Sequence, residues 1–149
     1  MEEQVVERST HRSGALVDYL ARHLRRRSES ALAPLGLRTR HLVALTILRE
    51  RGEITQQELA RELVLDRTNV VGLLNELESR GLAERRRSAQ DRRRHVVSLT
   101  EDGVALLCRA ETALAAVEDE VFAALDPAQR EQLHELLTAA TTAASARIC

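Results

Sequence analysis

The fifty residues from Ile54 to Gly103, ITQQELARELVLDRTNVVGLLNELESRGLAERRRSAQDRRRHVVSLTEDG, constrain the chain more than any other feature. Helix starts at Thr55, Asp66 and Thr100 and a glycine stop at Gly81 divide the stretch into a fixed order of elements. Thr55 and Glu58 have the spacing of a capping box, in which each side chain satisfies the other residue's main-chain N–H. Leu59, Ala60 and Leu63 then form an inner face. After the turn Val64-Leu65-Asp66, Asp66 is placed to cap a second helix, from about Arg67 to Arg80, which closes on Gly81.

That second helix has two unlike faces. Val70, Leu73, Leu74 and Leu77 fall on one stripe. At 100° per residue the opposite face holds Thr68, Gly72, Asn75 and Ser79, flanked by Asn69 and Val71. This outer face is small and polar, a shape that suits a helix entering the major groove of duplex DNA. Two short strands are expected next, about Leu82–Arg87 and His95–Leu99, joined by a loop running from Ser88 through Asp91, Arg92 and Arg93. Thr100 caps a long helix, with Glu101 and Asp102 suited to its first turn.

Charge is distributed in keeping with this reading. Arg80 to His95 holds seven arginines against Glu84 and Asp91, a net +5, whereas Ala110 to Leu137 holds seven acids against Arg130, a net −6. One region suits phosphate and the other repels it, a contrast hidden by the overall charge of −1. All the basic chains other than histidine are arginines, whose planar forks suit phosphate and groove contacts. The aromatic residues are Tyr19 and Phe122, too few for the stacking platforms that read single strands or RNA.

The flanks read as long helices. Leu16, Val17, Leu20 and Leu24 recur at helical spacing between about Arg12 and Ala33, and Pro34 and Gly36 end that helix. A further helix, about Thr39 to Arg51, carries Leu42, Leu45 and Leu48 and stops at Gly52. Beyond Thr100 the stripe is Leu107, Leu114, Val117, Val121 and Leu125. Asp126-Pro127-Ala128-Gln129 starts a last helix with Leu133, Leu136, Leu137, Ala140 and Ile148. The first and last helices show more apolar stripe than one slender chain of 149 residues can cover, so a helical homodimer is expected. The 149 residues read as a single domain. With no apolar run of membrane-spanning length and no signal-like N-terminus, no membrane association and a cytoplasmic location are expected.

Three pieces together resemble the MarR family of bacterial transcriptional regulators. They are the helix-turn-helix ITQQELARELVLDRTNVVGLLNELESRGL, the wing DRRRHVVSLTEDG with its D-x-R and L-T-x-x-G pattern, and the preceding LGLRTRHLVALTIL. The resemblance covers about residues 35–103. It implies a mainly α fold, a winged helix-turn-helix with a small β-hairpin wing. Residues about 10–35 and 103–149 would form the dimerisation helices, and about 36–102 the DNA-binding lobe. It also implies a repressor that binds a pseudo-palindromic operator as a homodimer, with half-sites about one helical turn (~10 bp) apart.

Under that resemblance Arg67, Thr68, Asn69, Gly72 and Asn75 lie nearest to bases and phosphates. Asn69 or Asn75 would pair bidentately with adenine, and Val71 would touch a thymine methyl. Family members often carry a polar or basic residue where Val71 and Gly72 stand, so shape readout is expected to matter more here. Arg92 and Arg93 at the wing tip would reach into the minor groove, with Asp91 holding Arg93. Arg85, Arg86, Arg87 and Arg94 would neutralise phosphates or pair with neighbouring acids.

Control is less clearly written. His11, His23, His41, His95 and His134 are scattered, and no metal site or cofactor is expected. His41 reads as packed at the junction of the helices, and Cys108 as an inert core thiol. Cys149 reads as exposed, with a disulfide between partner chains as the alternative, and the family's N-terminal sensing cysteine has no counterpart. Many family members bind phenolic or aromatic carboxylic compounds. A small ligand of that kind would sit where the first, second and fifth helices meet the DNA-binding lobe, with Tyr19, His23, Arg38 and His41 as candidate lining. Two other functional classes fit the sequence less well. A winged-helix protein–protein interaction module would have no reason to keep a basic wing. An enzyme would need a nucleophile–base pair, a phosphate-cradling loop or a metal cluster, and the sequence offers none.

Overall fold

The computed structural model describes residues 12–146. Its helices are α1 (Ser13–Leu32), α2 (Thr39–Arg51), α3 (Gln56–Glu62), α4 (Arg67–Ser79), α5 (Glu101–Val121) and α6 (Pro127–Ala146). Its strands are β1 (Glu53–Thr55), β2 (Ala83–Arg87) and β3 (His95–Leu99). The expected first helix ends one residue early, because Ala33–Leu35 tightens into a 3-10 turn that carries Pro34. The fifth helix stops at Val121, which leaves Leu125 in the turn before α6. His11, Ile148 and Cys149 lie outside the described residues.

The caps form as read. Thr55 Oγ1 accepts from the Glu58 N–H (3.2 Å) while Glu58 accepts from the Thr55 N–H (2.9 Å). Asp66 accepts from the Asn69 N–H (2.8 Å), and Thr100 from the Gly103 N–H (3.0 Å). Asp126 and Gln129 exchange the same pair of bonds at 2.8 and 3.0 Å.

The sheet is a finding beyond the expected hairpin. β3 pairs antiparallel with β2 on one side and with β1 on the other, in the order β1-β3-β2. Val97 is the central rung, opposite Ile54 and Arg85. β1 has no alternation to announce it, since three residues show no period and the strand exists only by pairing with β3.

One core runs through the lobe. Leu32, Leu45, Leu48, Leu59, Leu74, Leu77 and Leu107 are fully buried within it, joined by Val70 and Val97. α1 packs along α5. The core therefore links the end of α1, the helix-turn-helix, the sheet and the first half of α5. By contrast Leu136 is 62% exposed and Leu137 41%, and Leu16 and Val17 on α1 are 60% and 50% exposed. Cys108 is exposed, contrary to expectation, since its neighbours Leu107 and Ala110 take the inward face of α5.

α3 and α4 end in the same hydrogen-bond pattern with different residues at the critical position. After α4, Gly81 is left-handed (φ 68°) and the Leu82 N–H donates to the Leu77 carbonyl at 2.9 Å. After α3 the left-handed residue is Val64 (φ 55°), with the Leu65 N–H on the Ala60 carbonyl at 2.9 Å. A β-branched residue is strained there, and its side chain is 89% exposed, so packing offers no compensation. Val64→Gly is expected to raise stability by about 1 kcal/mol, read from denaturant midpoints. An unchanged or lowered midpoint would show that the turn is not strained.

Candidate nucleic-acid interface

α4 presents the two faces that its sequence dictates. Val70, Leu73, Leu74 and Leu77 are buried. Arg67, Thr68, Asn69, Gly72, Asn75 and Ser79 are exposed. Val71 is half-buried and lines a cleft of about 430 Å³ with Gln56, Arg67, Glu78, Arg85 and His95. It therefore faces the sheet side of the helix more than the outermost ridge.

Intramolecular bonds hold both asparagines. Asn69 donates its amide to Asp66 Oδ2 (2.8 Å), and Asn75 Oδ1 accepts from the Arg85 guanidinium. Arg85 also donates its main-chain N–H and its Nε to the two oxygens of Glu78, each at 2.9 Å. The Arg85 guanidinium holds the Glu78 carboxyl below the usual carboxylate range. α4 and the wing are thus fastened together. Chain reversal at Gly81 and Leu82 explains the meeting, because it folds Glu78 back beside Arg85.

The wing arginines divide into two groups. Arg85 pairs with Glu78, Arg86 with Glu53, and Arg94 with Asp91 (3.5 Å). Among the described residues, Arg67, Arg87, Arg92 and Arg93 have no acidic partner, and all four are exposed. Asp91 holds Arg93 by its main-chain N–H (3.0 Å), while its side-chain partner is Arg94. The expected Asp91–Arg93 link is therefore a turn contact that leaves the Arg93 guanidinium unpaired. Ser88 Oγ accepts from the N–H groups of Gln90 and Asp91, which shapes the tip. Arg61, Arg67, Arg93 and Arg94 line a concave basic surface of about 530 Å³ between α3, α4 and the wing.

Behind α4 lies a junction that sequence reasoning saw only in part. His41 is 5% exposed, and its Nδ1 accepts from the Arg38 N–H (3.0 Å). Nδ1 is thereby the acceptor, so Nε2 carries the proton and donates it to Glu76 Oε2 (2.7 Å). Arg40 donates to both Glu76 oxygens, at 2.7 and 2.9 Å. Glu76 has no local signal, since its partners stand some 35 residues earlier in the chain. The His41 bond, followed by the Arg40 bond, holds the Glu76 carboxyl below its ordinary range. A lowered carboxylate stabilises the fold above its unfolded pKa and loses that contribution as pH falls through the folded value. Glu76→Gln is therefore expected to weaken the protein at neutral pH and to flatten the acid limb of its stability curve. Parallel acid limbs in the two proteins would contradict this.

The four candidate pocket residues make two pairwise contacts. Tyr19 stacks on His23 with ring centroids 6.2 Å apart, and both are exposed on α1. Arg38 is exposed and bonded through its main chain to the buried His41. Among the described residues no group of three metal-ligating side chains converges, and no helix is long and apolar enough to cross a membrane.

A helix-turn-helix followed by a stranded wing defines the class, a winged-helix protein. The sequence model of the MarR family matches residues 37–95. An HTH-type transcriptional repressor of Mycobacterium tuberculosis is 32% identical over 114 residues, which span 76% of this chain and 82% of that protein. The organic hydroperoxide resistance transcriptional regulator of Bacillus subtilis is 31% identical over 86 residues, 58% of each chain. Across several curated relatives the match spans 42–58% of their length. Apo MarR from E. coli superposes with a TM-score of 0.77 at 24% identity, covering 87% of this chain and 96% of that one. A mutant MarR from E. coli complexed with operator DNA superposes at 0.68 with 25% identity, covering 85% and 91%. The chain belongs to the MarR family.

Proposed function

We propose that this chain is a cytoplasmic transcriptional repressor that binds duplex DNA as a homodimer, reading a pseudo-palindromic operator and catalysing no reaction. The observation that carries the reading is the placement of uncompensated charge. Arg92 and Arg93 at the wing tip, with Arg67 at the start of α4, flank an exposed polar helix face and lack acidic partners among the described residues. Unpaired arginines beside a slim helix can meet phosphates and a narrow minor groove without first breaking internal ion pairs. That the operator-bound MarR shares this fold supports the same use of α4 and the wing.

Dimerisation rests on Leu136 and Leu137 of α6 with Leu16 and Val17 of α1, apolar side chains that a second copy would cover. The DNA-binding lobe would then be about residues 36–102, with the dimer formed by about 10–35 and 103–149. A small aromatic or phenolic ligand that releases the DNA completes the reading. Sedimentation equilibrium at micromolar concentration should give twice the 16.7 kDa chain mass. A single-chain mass would remove the dimer, and with it the two-fold operator.

A further inference from the structure

Asn69 and Asn75 are both exposed on α4, and each is held by a charged neighbour that dictates which end of the amide faces it. A guanidinium only donates, so the Asn75 atom beside Arg85 must be the carbonyl Oδ1. An ionised carboxylate only accepts, so the Asn69 atom beside Asp66 must be the amide nitrogen, at 2.8 Å. Asp66 stays ionised at neutral pH, its carboxyl lowered by the bond from the Asn69 main chain. Arg85 is not free to swing away. Its side chain is 20% exposed, and Glu78 holds both its main-chain N–H and its Nε.

We infer that Arg85, its guanidinium set against Oδ1, turns Asn75 toward donating, so that Asn75 selects guanine rather than adenine. The inference rests on the reading that α4 enters the major groove. An unrestrained asparagine pairs bidentately with adenine, donating to N7 and accepting from the N6 amino group. For Asn75 to do so, the adenine N6 amino group would have to crowd against the Arg85 guanidinium on the same oxygen, donor against donor. Guanine presents N7 and O6, both acceptors, to which the two amide protons of Asn75 can be given while Oδ1 stays on Arg85. Asn69 gives one of its two amide protons to Asp66 and leaves its oxygen unengaged. Its free oxygen suits an amino edge, on cytosine N4 or adenine N6. Arg85 is in this account a positioning residue, which sets specificity without touching a base.

The test is selection from random duplex DNA by the wild type, Asn75→Ala, Arg85→Met and Arg85→Lys. The expected result is one symmetry-related pair of positions where Asn75→Ala abolishes base preference and the wild type prefers guanine to adenine by roughly tenfold. Arg85→Met should move that preference toward adenine, whereas Arg85→Lys, which restores a donor, should keep guanine. A wild-type preference for adenine there, no position changed by Asn75→Ala, or guanine retained in Arg85→Met would each overturn the inference. If Arg85→Met does not fold, the wild-type and Asn75→Ala profiles alone decide between guanine and adenine. A wild type that enriches no sequence at all would overturn the DNA-reading proposal itself, an outcome distinct from enrichment of the wrong base.

Discussion

Gly103→Ala should destabilise the protein by about 3 kcal/mol or prevent it from folding. A β-carbon at Gly103 would stand 2.0 Å from the Leu82 carbonyl oxygen and 3.1 Å from Leu99 Cδ2. The clash is with backbone, which cannot rotate away as a side-chain tip can. Leu82 and Leu99 flank the wing, and the Leu82 carbonyl also accepts from the Thr100 N–H at 3.2 Å. Thr100 in turn donates its hydroxyl to the Gly81 carbonyl (2.6 Å) and caps α5 through the Gly103 N–H. The L-T-x-x-G pattern is therefore a docking joint: leucine packs, threonine caps, and glycine lets the start of α5 lie against the turn after α4. Chemical denaturation reads the effect directly. A midpoint within about 0.5 kcal/mol of wild type would mean that α5 can shift without cost, and that the joint is not tight.

Alanine at both Arg92 and Arg93 should weaken duplex binding roughly a hundredfold or more at physiological salt. In a dimer four arginines are lost, and if each meets a phosphate the slope of log affinity against log salt should fall by about three to four. Folding stability should stay within about 0.5 kcal/mol, since both side chains are exposed and lack acidic partners among the described residues. Arg86→Ala is the matched control. Arg86 is already paired with Glu53, so its loss removes less charge from the surface that meets DNA. Equal losses per arginine removed would show that net charge alone drives binding. Unchanged affinity and slope in the double variant would take the wing tip out of the mechanism.

Much of this architecture is legible in the chain because its signals are local. Thr55 with Glu58, Asp66, Thr100, and Asp126 with Gln129 each announce a helix start within four residues, and each cap forms. The buried stripe of α4 follows from its period. What escapes is settled by distant partners. β1 becomes a strand because β3 lies beside it. Cys108 is exposed because Leu107 and Ala110 win the inward face of α5. Counting residues gives the wing six arginines, yet Glu53, Glu78 and Asp91 engage three of them. The pairing of Glu78 with Arg85 could have been foreseen from the chain reversal at Gly81. That of Glu76 with Arg40 and His41 could not, because nothing local links α4 to the start of α2.

The most direct test of the account is to select random duplex DNA with the purified protein and sequence what it retains. The account predicts an enriched inverted repeat, with half-sites about one helical turn (~10 bp) apart and A/T-rich flanks where Arg92 and Arg93 enter the minor groove. No enrichment, with binding that vanishes at moderate salt, would contradict it. The winged helix would then be attracting DNA by charge alone, and an interaction with another protein would become the leading function.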